Sequence, residues 1–423
     1  MKAEAADMNR TPHPSRALAV LTLCSFTLGT GEIMIAGLLP GIADDVSVPL
    51  STAGLLVSAF ALTVVGGGPV LALGTGRAPR RGLLVALMGC YVLGNVVSAL
   101  APGFGLLAGG RVLAALAHSA LMPLFFRTAA DLVPPQRRGR AVARVSTGFS
   151  LAMVAGLPLG TAVGQWLGWR ATFWAVAALT VVVTVCVARL VPGTAERDSE
   201  EPAAASEPAA PEPASSIRLL TELRVLGDRP VRAVTAITAL SAAAAFTAYT
   251  YVTPLLTDTV GFSPSATTVL LLLFGIGGTV GSTVGGRLTD RSVTGAIGWT
   301  VGALAATLLL LAVTAGAKAP AVAALFLFGA AYYAVIPAVN TRLLDVAAGR
   351  ARTLALTVQS SAFNLGTALG GWLGGRLLTA GAGLDRLPLA GSLIALAALA
   401  WALREAAGER RGAVADRPGE HVA

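Results

Sequence analysis

The chain has 423 residues, of which 55% are hydrophobic and only 13% are charged, and its mean hydropathy is +0.73. Soluble chains carry about 25% charged residues, so this composition excludes an ordinary soluble protein. The net charge is +9, but the basic residues are confined to short loops and form no basic face with interleaved aromatic residues. We therefore predict no nucleic-acid partner.

Apolar runs of about twenty residues recur along the whole chain, and each is long enough to cross a hydrocarbon core of about 30 Å as a helix. They predict an all-α membrane protein with twelve transmembrane helices embedded in a lipid bilayer. The first run is too long for the apolar region of a secretory signal peptide and lacks its cleavage site, so we expect it to remain in the protein. The predicted spans, in chain order, are 17–39, 51–73, 82–101, 104–130, 141–164, 171–190, 231–256, 265–286, 295–315, 320–344, 353–378 and 387–404.

One connection is much longer than the others. Residues 191–230 are rich in Pro, Ala, Glu and Ser and cannot bury enough apolar surface to fold, so they predict a flexible linker. The linker divides the chain into an N-terminal six-helix half, 1–190, and a C-terminal six-helix half, 231–404. A short tail, 405–423, follows the last span.

Lysine and arginine residues are distributed unequally between the two sides of the predicted spans. With the N-terminus inside, only four of the 31 lysines and arginines fall in outer segments, while Arg111 and Arg127 lie within a span. The positive-inside rule then predicts that both termini, the linker and the tail are cytoplasmic. Arg127 is expected to extend its side chain toward the cytoplasmic surface. The four outer residues are Arg170, Lys318, Arg376 and Arg386.

The two halves also share a sequence repeat. Residues 159–170, LGTAVGQWLGWR, match residues 365–376, LGTALGGWLGGR, at nine of twelve positions, and they end the fifth and the eleventh spans. These are equivalent places in two six-helix halves. The sequence therefore predicts two parallel pseudo-repeats, a plan used by a large class of secondary transporters.

Glu32 and Arg111 are charged residues at similar depths in the first and fourth spans. An isolated acid at such a depth costs about 2.5–3.5 kcal/mol, so it normally faces a cavity or a partner. A Glu32–Arg111 pair is therefore possible. It would be either a structural ion pair that locks two helices or part of a proton or substrate site.

His118 follows Arg111 by seven residues and so lies on the same face of the fourth span. A histidine there could exchange protons near neutral pH, or it could remain neutral and hydrogen-bonded in a polar cavity. Both interpretations remain open at this point. Glu32, Arg111 and His118 together form the predicted proton-coupling or substrate site.

Glycines recur every four residues in the fifth and eleventh spans, and Pro158 interrupts the first of these series. Small residues on one stripe allow two helix backbones to approach closely, so we predict helix packing along these stripes. The same seams are candidates for places where the halves move. The residues of this motif are Gly156, Pro158, Gly160, Gly164, Gly366, Gly370 and Gly374.

Two cytoplasmic loops combine glycine with clustered charge. After the eighth span the chain reads GGRLTDR, and the equivalent loop of the first half reads GTGRAPRR. The former resembles the loop signature of the major facilitator superfamily, Arg111 resembles the fourth-span arginine of its drug:proton antiporters, and the Gly156-x-Pro158-x-Gly160 series resembles their fifth-span motif. The resemblance implies a gating role for Gly285, Asp290, Arg291, Gly74, Arg77 and Arg81.

Nearly the whole chain resembles the bacterial branch with chloramphenicol-resistance and arabinose-efflux-type exporters. The resemblance implies the major facilitator fold, the inner membrane of a bacterium, a monomer, and proton-coupled export of a drug-like small molecule. Transport of a native metabolite such as a sugar or nucleoside is the alternative, and a membrane receptor or enzyme is a more remote one. The candidate residues of the substrate cavity are Tyr249, Tyr251, Tyr332, Tyr333, Asn340, Gln359 and Asn364.

We predict no metal or other cofactor and no enzymatic activity. The three histidines and three cysteines show no metal-ligand spacing, and no Walker sequence is present. Energy for transport would therefore come from a gradient or from a partner.

Overall fold

The computed structural model of the protein describes residues 14–75, 79–191, 228–347 and 351–415. Within these residues the chain is helical apart from short connections. The linker prediction for 191–230 falls almost entirely outside the described residues, as do Arg77 and the end of the tail. The helices are α1 (Pro14–Ile33), α2 (Ile35–Asp45), α3 (Leu50–Thr75), α4 (Arg80–Leu100), α5 (Phe104–Asp131), α6 (Arg138–Leu151), α7 (Leu157–Leu167), α8 (Trp169–Leu190), α9 (Arg229–Tyr249), α10 (Pro264–Arg291), α11 (Val293–Thr314), α12 (Lys318–Val346), α13 (Ala351–Thr379) and α14 (Arg386–Ala415).

Ten helical segments of the described chain are long and apolar enough to cross a membrane, and the bent pair α1–α2 makes an eleventh span. The helix α13 has 29 residues, which is also enough to cross, and its place in the chain is that of the predicted eleventh span. The crossing segments follow the twelve predicted spans in order. Most boundaries differ by a few residues, as expected where helix ends are read from hydropathy, but α2 ends six residues beyond the first predicted span and α14 continues eleven residues beyond the last.

Three predicted spans are continuous in hydropathy but interrupted in the structure. The first is broken at Met34, where α1 and α2 meet at 45°. The fifth contains a π-helical segment, Ala152–Gly156, just before Pro158, which lacks the N–H that a regular helix would use. The seventh continues beyond Tyr249 through a short helical turn and a second π-helical segment, Leu255–Thr259.

Helix ends follow local rules that the sequence makes visible. The hydroxyl oxygens of Ser263 and Ser292 accept hydrogen bonds from backbone N–H groups at the starts of α10 and α11, at 3.3 and 3.2 Å. Gly168, with φ of +84°, separates α7 from α8. This backbone conformation is one that a side chain would strain, so glycine is required at this sharp turn.

The described helices form two compact units. The first contains α1, α2, the part of α3 from Ala59 onward, and α4 to α8. The second contains Leu50–Ser58, which is the start of α3, and α9 to α14. In the second unit the Ser58 hydroxyl donates to the carbonyl oxygen of Ala368 at 2.8 Å, which attaches the start of α3 to α13.

The glycine stripes of the fifth and eleventh spans both lie against helices of their own unit. In the first unit, a Cβ atom added at Gly156, Gly160 or Gly164 would meet Thr30, Met34 or Leu38 on α1 and α2. In the second unit, the residues that Gly366, Gly370 and Gly374 would meet lie on α9 and just beyond its end: Ala239, Ala243, Thr247 and Tyr251. Each stripe thus packs inside one unit: the first against side chains, and the second mainly against the backbone of α9.

Candidate functional site

The candidate site lies in the first unit, beside the break in its first span. Glu32 is the last residue but one of α1. The Gly37 N–H bonds to the Met34 carbonyl oxygen three residues earlier, at 3.0 Å, so the regular series of hydrogen bonds to the carbonyl four residues earlier is broken where α1 meets α2. The carbonyl groups at the end of α1 are therefore available to partners from other helices.

Arg111 on α5 holds this helix end. Its side chain is buried, with 1% exposed, and its two terminal nitrogens lie 2.7 Å from the Gly31 carbonyl oxygen and 3.4 Å from the Glu32 carbonyl oxygen. Its guanidinium carbon lies 4.2 Å from the ring centroid of Phe60 on α3. The cation is therefore stabilised by main-chain dipoles and by an aromatic face.

A glycine permits the close packing at this point. A Cβ atom on Gly31 would collide with the hydroxyl of Tyr91, which is fully buried on α4. That hydroxyl lies 3.5 Å from the Leu28 carbonyl oxygen, one turn earlier on α1. Gly31 thus lets α4 approach α1 next to Glu32.

The side chain of His118 lies against the Glu32 carboxylate. Its Nε2 lies 3.4 Å from the Glu32 Oε2, and the side chains are 7% and 19% exposed respectively. The His118 ring also packs edge-on against Phe60, with the ring centroids 5.4 Å apart. Its Nδ1 has no hydrogen-bond partner among the described residues.

The contacts of these groups differ from a direct pair between the Glu32 and Arg111 side chains. Glu32 and Arg111 do lie side by side, but Arg111 binds the main chain of α1, and within the described structure the Glu32 carboxylate pairs with His118. The physical reason is the helix break, since free carbonyl groups at a helix end attract a cation. Sequence patterns alone give no sign of that break.

The tyrosines predicted to line a cavity divide into two places within the second unit. Tyr249, Tyr332 and Tyr333 belong to one aromatic cluster, in which Tyr332 and Tyr333 have centroids 5.1 Å apart. Phe246 packs edge-on against both Tyr249 and Tyr332, at 5.3 and 6.2 Å. Tyr251 lies elsewhere: it is fully buried, and its hydroxyl donates to the Gly371 carbonyl oxygen at 3.0 Å. The rest of the cluster consists of Phe274, Phe328 and Phe363.

The amide candidates of the second unit bond within the protein. The Gln359 amide nitrogen donates to the Thr238 hydroxyl at 2.7 Å and so connects α13 to α9. The Asn364 amide donates to the Ser360 carbonyl oxygen on its own helix at 3.0 Å. Asn340 is half-buried on α12.

The described residues predicted to form a gate lie at or near the ends of helices. Gly285 packs against the Ala334 carbonyl on α12, while Asp290 and Arg291 are exposed at the end of α10. Arg81 donates to the Ala188 carbonyl oxygen within the first unit. Gly74 lies on α3, and Arg77 lies outside the described residues. Arg127 is exposed four residues before the end of α5, which agrees with an extended side chain.

Phe60 and Tyr91 are the residues of the site that sequence reasoning missed. Both lie in apolar spans and carry no charge, so no pattern distinguishes them from ordinary helix-packing residues. Among the described residues, no group of three or more His, Cys, Asp or Glu side chains could hold a metal ion.

Comparison with known proteins bears on the whole chain. The family model described as Major Facilitator Superfamily matches residues 21–371. The chain is 36% identical over 382 residues to the inner membrane transport protein YdhP of Escherichia coli O157:H7, which covers 90% of this chain and 94% of that protein. It is also 36% identical over 364 residues to a chloramphenicol resistance protein of Streptomyces lividans, covering 85% and 87%.

The fold is similar to that of solved transporters. The crystal structure of a D-xylose-proton symporter matches with a TM-score of 0.73 at 16% identity, covering 92% of this chain and 97% of that one. At this identity the likeness concerns the fold alone. Together with the family match, it confirms the predicted all-α fold of twelve membrane helices in two six-helix pseudo-repeats.

Proposed function

Because this chain belongs to the Major Facilitator Superfamily and is a multi-pass membrane transporter, we propose that it is a proton-coupled exporter of drug-like small molecules. A chloramphenicol-type antibiotic is the proposed substrate. The relative from Streptomyces lividans, named a chloramphenicol resistance protein, supports this choice because the similarity extends over 85% of the chain.

One observation carries the proton coupling. Glu32 is the only carboxylate within the twelve predicted spans, and it lies 3.4 Å from the imidazole of His118. An acid in such surroundings is tolerated when it is protonated or when it is paired with a cation. Two tolerated forms are what a proton-driven cycle requires.

The proposed cycle alternates between these two forms. A proton arriving from outside binds to the Glu32 carboxylate beside His118 and neutralises it, and the neutral form lets the empty carrier return. Release of the proton to the cytoplasm restores the pair before or while substrate binds. One proton crossing 100 mV supplies about 2.3 kcal/mol, which corresponds to a roughly fifty-fold gradient of an uncharged substrate.

Arg111 has a separate role in this proposal. Because it binds the carbonyl oxygens of Gly31 and Glu32, it fixes the backbone that carries the carboxylate. It retains its positive charge throughout the cycle. The pair of Glu32 and His118 therefore exchanges the proton, and Arg111 keeps the exchanging group in place.

Features of the second unit support an amphipathic, uncharged substrate. The half-buried rings of Phe246 and Phe363 offer apolar and edge-on aromatic contacts. A sugar would need a dense set of hydrogen-bonding groups, whereas Gln359 and Asn364 already donate to protein groups. These contacts favour a drug-like molecule over a sugar or nucleoside.

We also propose that the protein lies in the inner membrane of a bacterium as a monomer, with both termini cytoplasmic. The distribution of lysine and arginine supports the orientation, and a relative named as an inner membrane protein supports the location. Residues 1–190 and 231–404 would be the two halves, 191–230 a tether between them, and the loop residues around Asp290 a gate.

A drug-susceptibility panel tests this function. The chain would be expressed in a bacterial host that lacks its own major exporters and compared with an empty vector, with and without a proton uncoupler. We expect a raised inhibitory concentration for chloramphenicol, and intracellular drug that rises to the control level when the uncoupler is added. Unchanged susceptibility to every drug, with the protein present in the membrane, would contradict the proposal.

A further inference from the structure

Phe60 on α3 connects the two charged parts of the site. It is 2% exposed, and its ring contacts the Arg111 guanidinium at 4.2 Å and the His118 ring at 5.4 Å between centroids. It carries no ionisable group and cannot itself exchange a proton. Any role it has must act through these two neighbours.

Arg111 has donors to spare at this position. A guanidinium group offers five N–H donors, and its two terminal nitrogens serve two carbonyl groups, while its Nε has no partner within the described structure. One of those terminal nitrogens contacts the main-chain carbonyl oxygen of Glu32, the residue that also carries the carboxylate. A bidentate pair with that carboxylate is the geometry that arginine favours most strongly.

The remaining surroundings of Glu32 contain few charged or titratable groups. Arg111 and His118 face it from α5, and Tyr91 faces its end of α1 from α4. The other helices packed on this part of α1 present Phe149 and Val176, which are apolar. Competition for the carboxylate is therefore between Arg111 and His118.

We propose that Phe60 is a positioning residue that holds the Arg111 guanidinium on the carbonyl groups of α1 and thereby leaves the Glu32 carboxylate to His118. A planar cation is attracted to the face of an aromatic ring, and a ring in that place also blocks rotation of the guanidinium group. Without the ring, Arg111 turns to the carboxylate and keeps it ionised. The proton-exchanging pair then becomes a permanent ion pair.

The consequence for export rests on the proposed function, but the placement of Arg111 does not. The test therefore measures the state of Glu32 without any transport. A hydrophobic carbodiimide reacts with protonated carboxyl groups in apolar surroundings, and mass spectrometry of the purified full-length protein reports how much of Glu32 is modified. All variants are labelled at the same pH and reagent concentration.

Phe60→Leu removes the ring but keeps an apolar side chain, and Phe60→Tyr restores the ring. We expect Phe60→Leu to lower the labelling of Glu32 about tenfold, because a cation moved against a carboxylate favours its charged form by one pH unit or more. Phe60→Tyr should label like the wild type. Phe125→Leu, at another fully buried phenylalanine of the same unit, is the matched control and should also label like the wild type.

Two outcomes would overturn the inference: equal labelling of Phe60→Leu and the wild type, or a loss of labelling in Phe60→Tyr as large as in Phe60→Leu. Should Phe60→Leu fail to fold, Phe60→Met provides the same comparison with a more adaptable side chain. If the labelling result holds while the wild type exports no drug, the proposed function fails and the positioning role stands. If export is proton-driven but labelling is unaffected, only the role of Phe60 fails.

Discussion

Replacement of Gly281 by alanine tests whether the packing of α10 against α12, in the second unit, requires a residue without a side chain. Gly277, Gly281 and Gly285 recur every four residues on α10 and face the backbone of α12. A Cβ atom at Gly281 would lie 2.6 Å from both the carbonyl carbon and the Cα of Ala330, and closer still to its oxygen. Because these are backbone atoms, the helices themselves must move apart.

The cost follows from that geometry. Ordinary contact for a Cβ atom begins near 3.4 Å, so the two backbones must separate by roughly 0.8 Å or more. Overpacking of this kind costs about 1–3 kcal/mol, while alanine in place of glycine gains about 1 kcal/mol in a helix. The net change for Gly281→Ala is therefore a destabilisation of up to about 2 kcal/mol.

Gly286, five residues later on the same helix, provides the control. A Cβ atom there meets nothing within 4 Å, so Gly286→Ala should gain about 1 kcal/mol from helix propensity alone. The helix-propensity gain is common to both variants, so they differ by the overpacking cost alone, about 1–3 kcal/mol, which corresponds to a difference in apparent Tm of roughly 2–12 °C for a unit of this size. Scanning fluorimetry in one detergent would measure it. A Gly281→Ala protein at least as stable as Gly286→Ala would refute the reasoning.

Three further predictions concern the first unit and the topology. Asp45 accepts hydrogen bonds from Trp169, at 3.1 Å, and from Arg170, but the side chains of Arg170 and Asp45 are 38% and 46% exposed. Asp45→Asn should therefore lower the apparent Tm by no more than about 3 °C, and a loss of folded protein would show that we underestimate this contact. His118→Asn removes the partner of Glu32, so proton-driven efflux should fall several-fold at unchanged membrane levels, and a wild-type rate would exclude His118 from the exchanging pair. Reporter proteins fused at Pro49, Pro264 and Gly383 should report a location outside the membrane. A cytoplasmic signal at any of these three positions would contradict the topology.

The sequence predicts the fold more fully than the site. Apolar length gives the twelve spans, and the repeated LGTA segments give the two halves, because both depend on composition over many residues. The break at Met34 escapes this reasoning, since a bent span is as hydrophobic as a straight one. Even the nearby Pro40 does not predict where the helix bends.

The site shows the same limit at the level of single contacts. Depth in the membrane correctly places Glu32 and Arg111 beside each other, but charge alone favours a direct pair between their side chains. In the structure, Arg111 instead donates to the main chain beside the break, and the Glu32 carboxylate lies against His118. Phe60 could not be identified from the sequence, because its importance comes from two neighbours on another helix.

Glu32 is central to this account, because it is the acid that the proposed cycle protonates and releases. Glu32→Gln keeps the size and the hydrogen-bonding capacity of the side chain but cannot ionise. The change should leave folding intact, since the amide avoids the cost of an embedded charge. Binding and passive exchange of substrate should also persist, because Arg111 still holds the end of α1.

The most direct measurement is the accumulation of radiolabelled chloramphenicol in everted membrane vesicles under an imposed pH gradient, at matched expression of wild type and Glu32→Gln. The account predicts uphill accumulation by the wild type, which an uncoupler abolishes, and only equilibration by the variant. Full gradient-driven accumulation by Glu32→Gln would contradict it and would mean that the driving proton binds elsewhere.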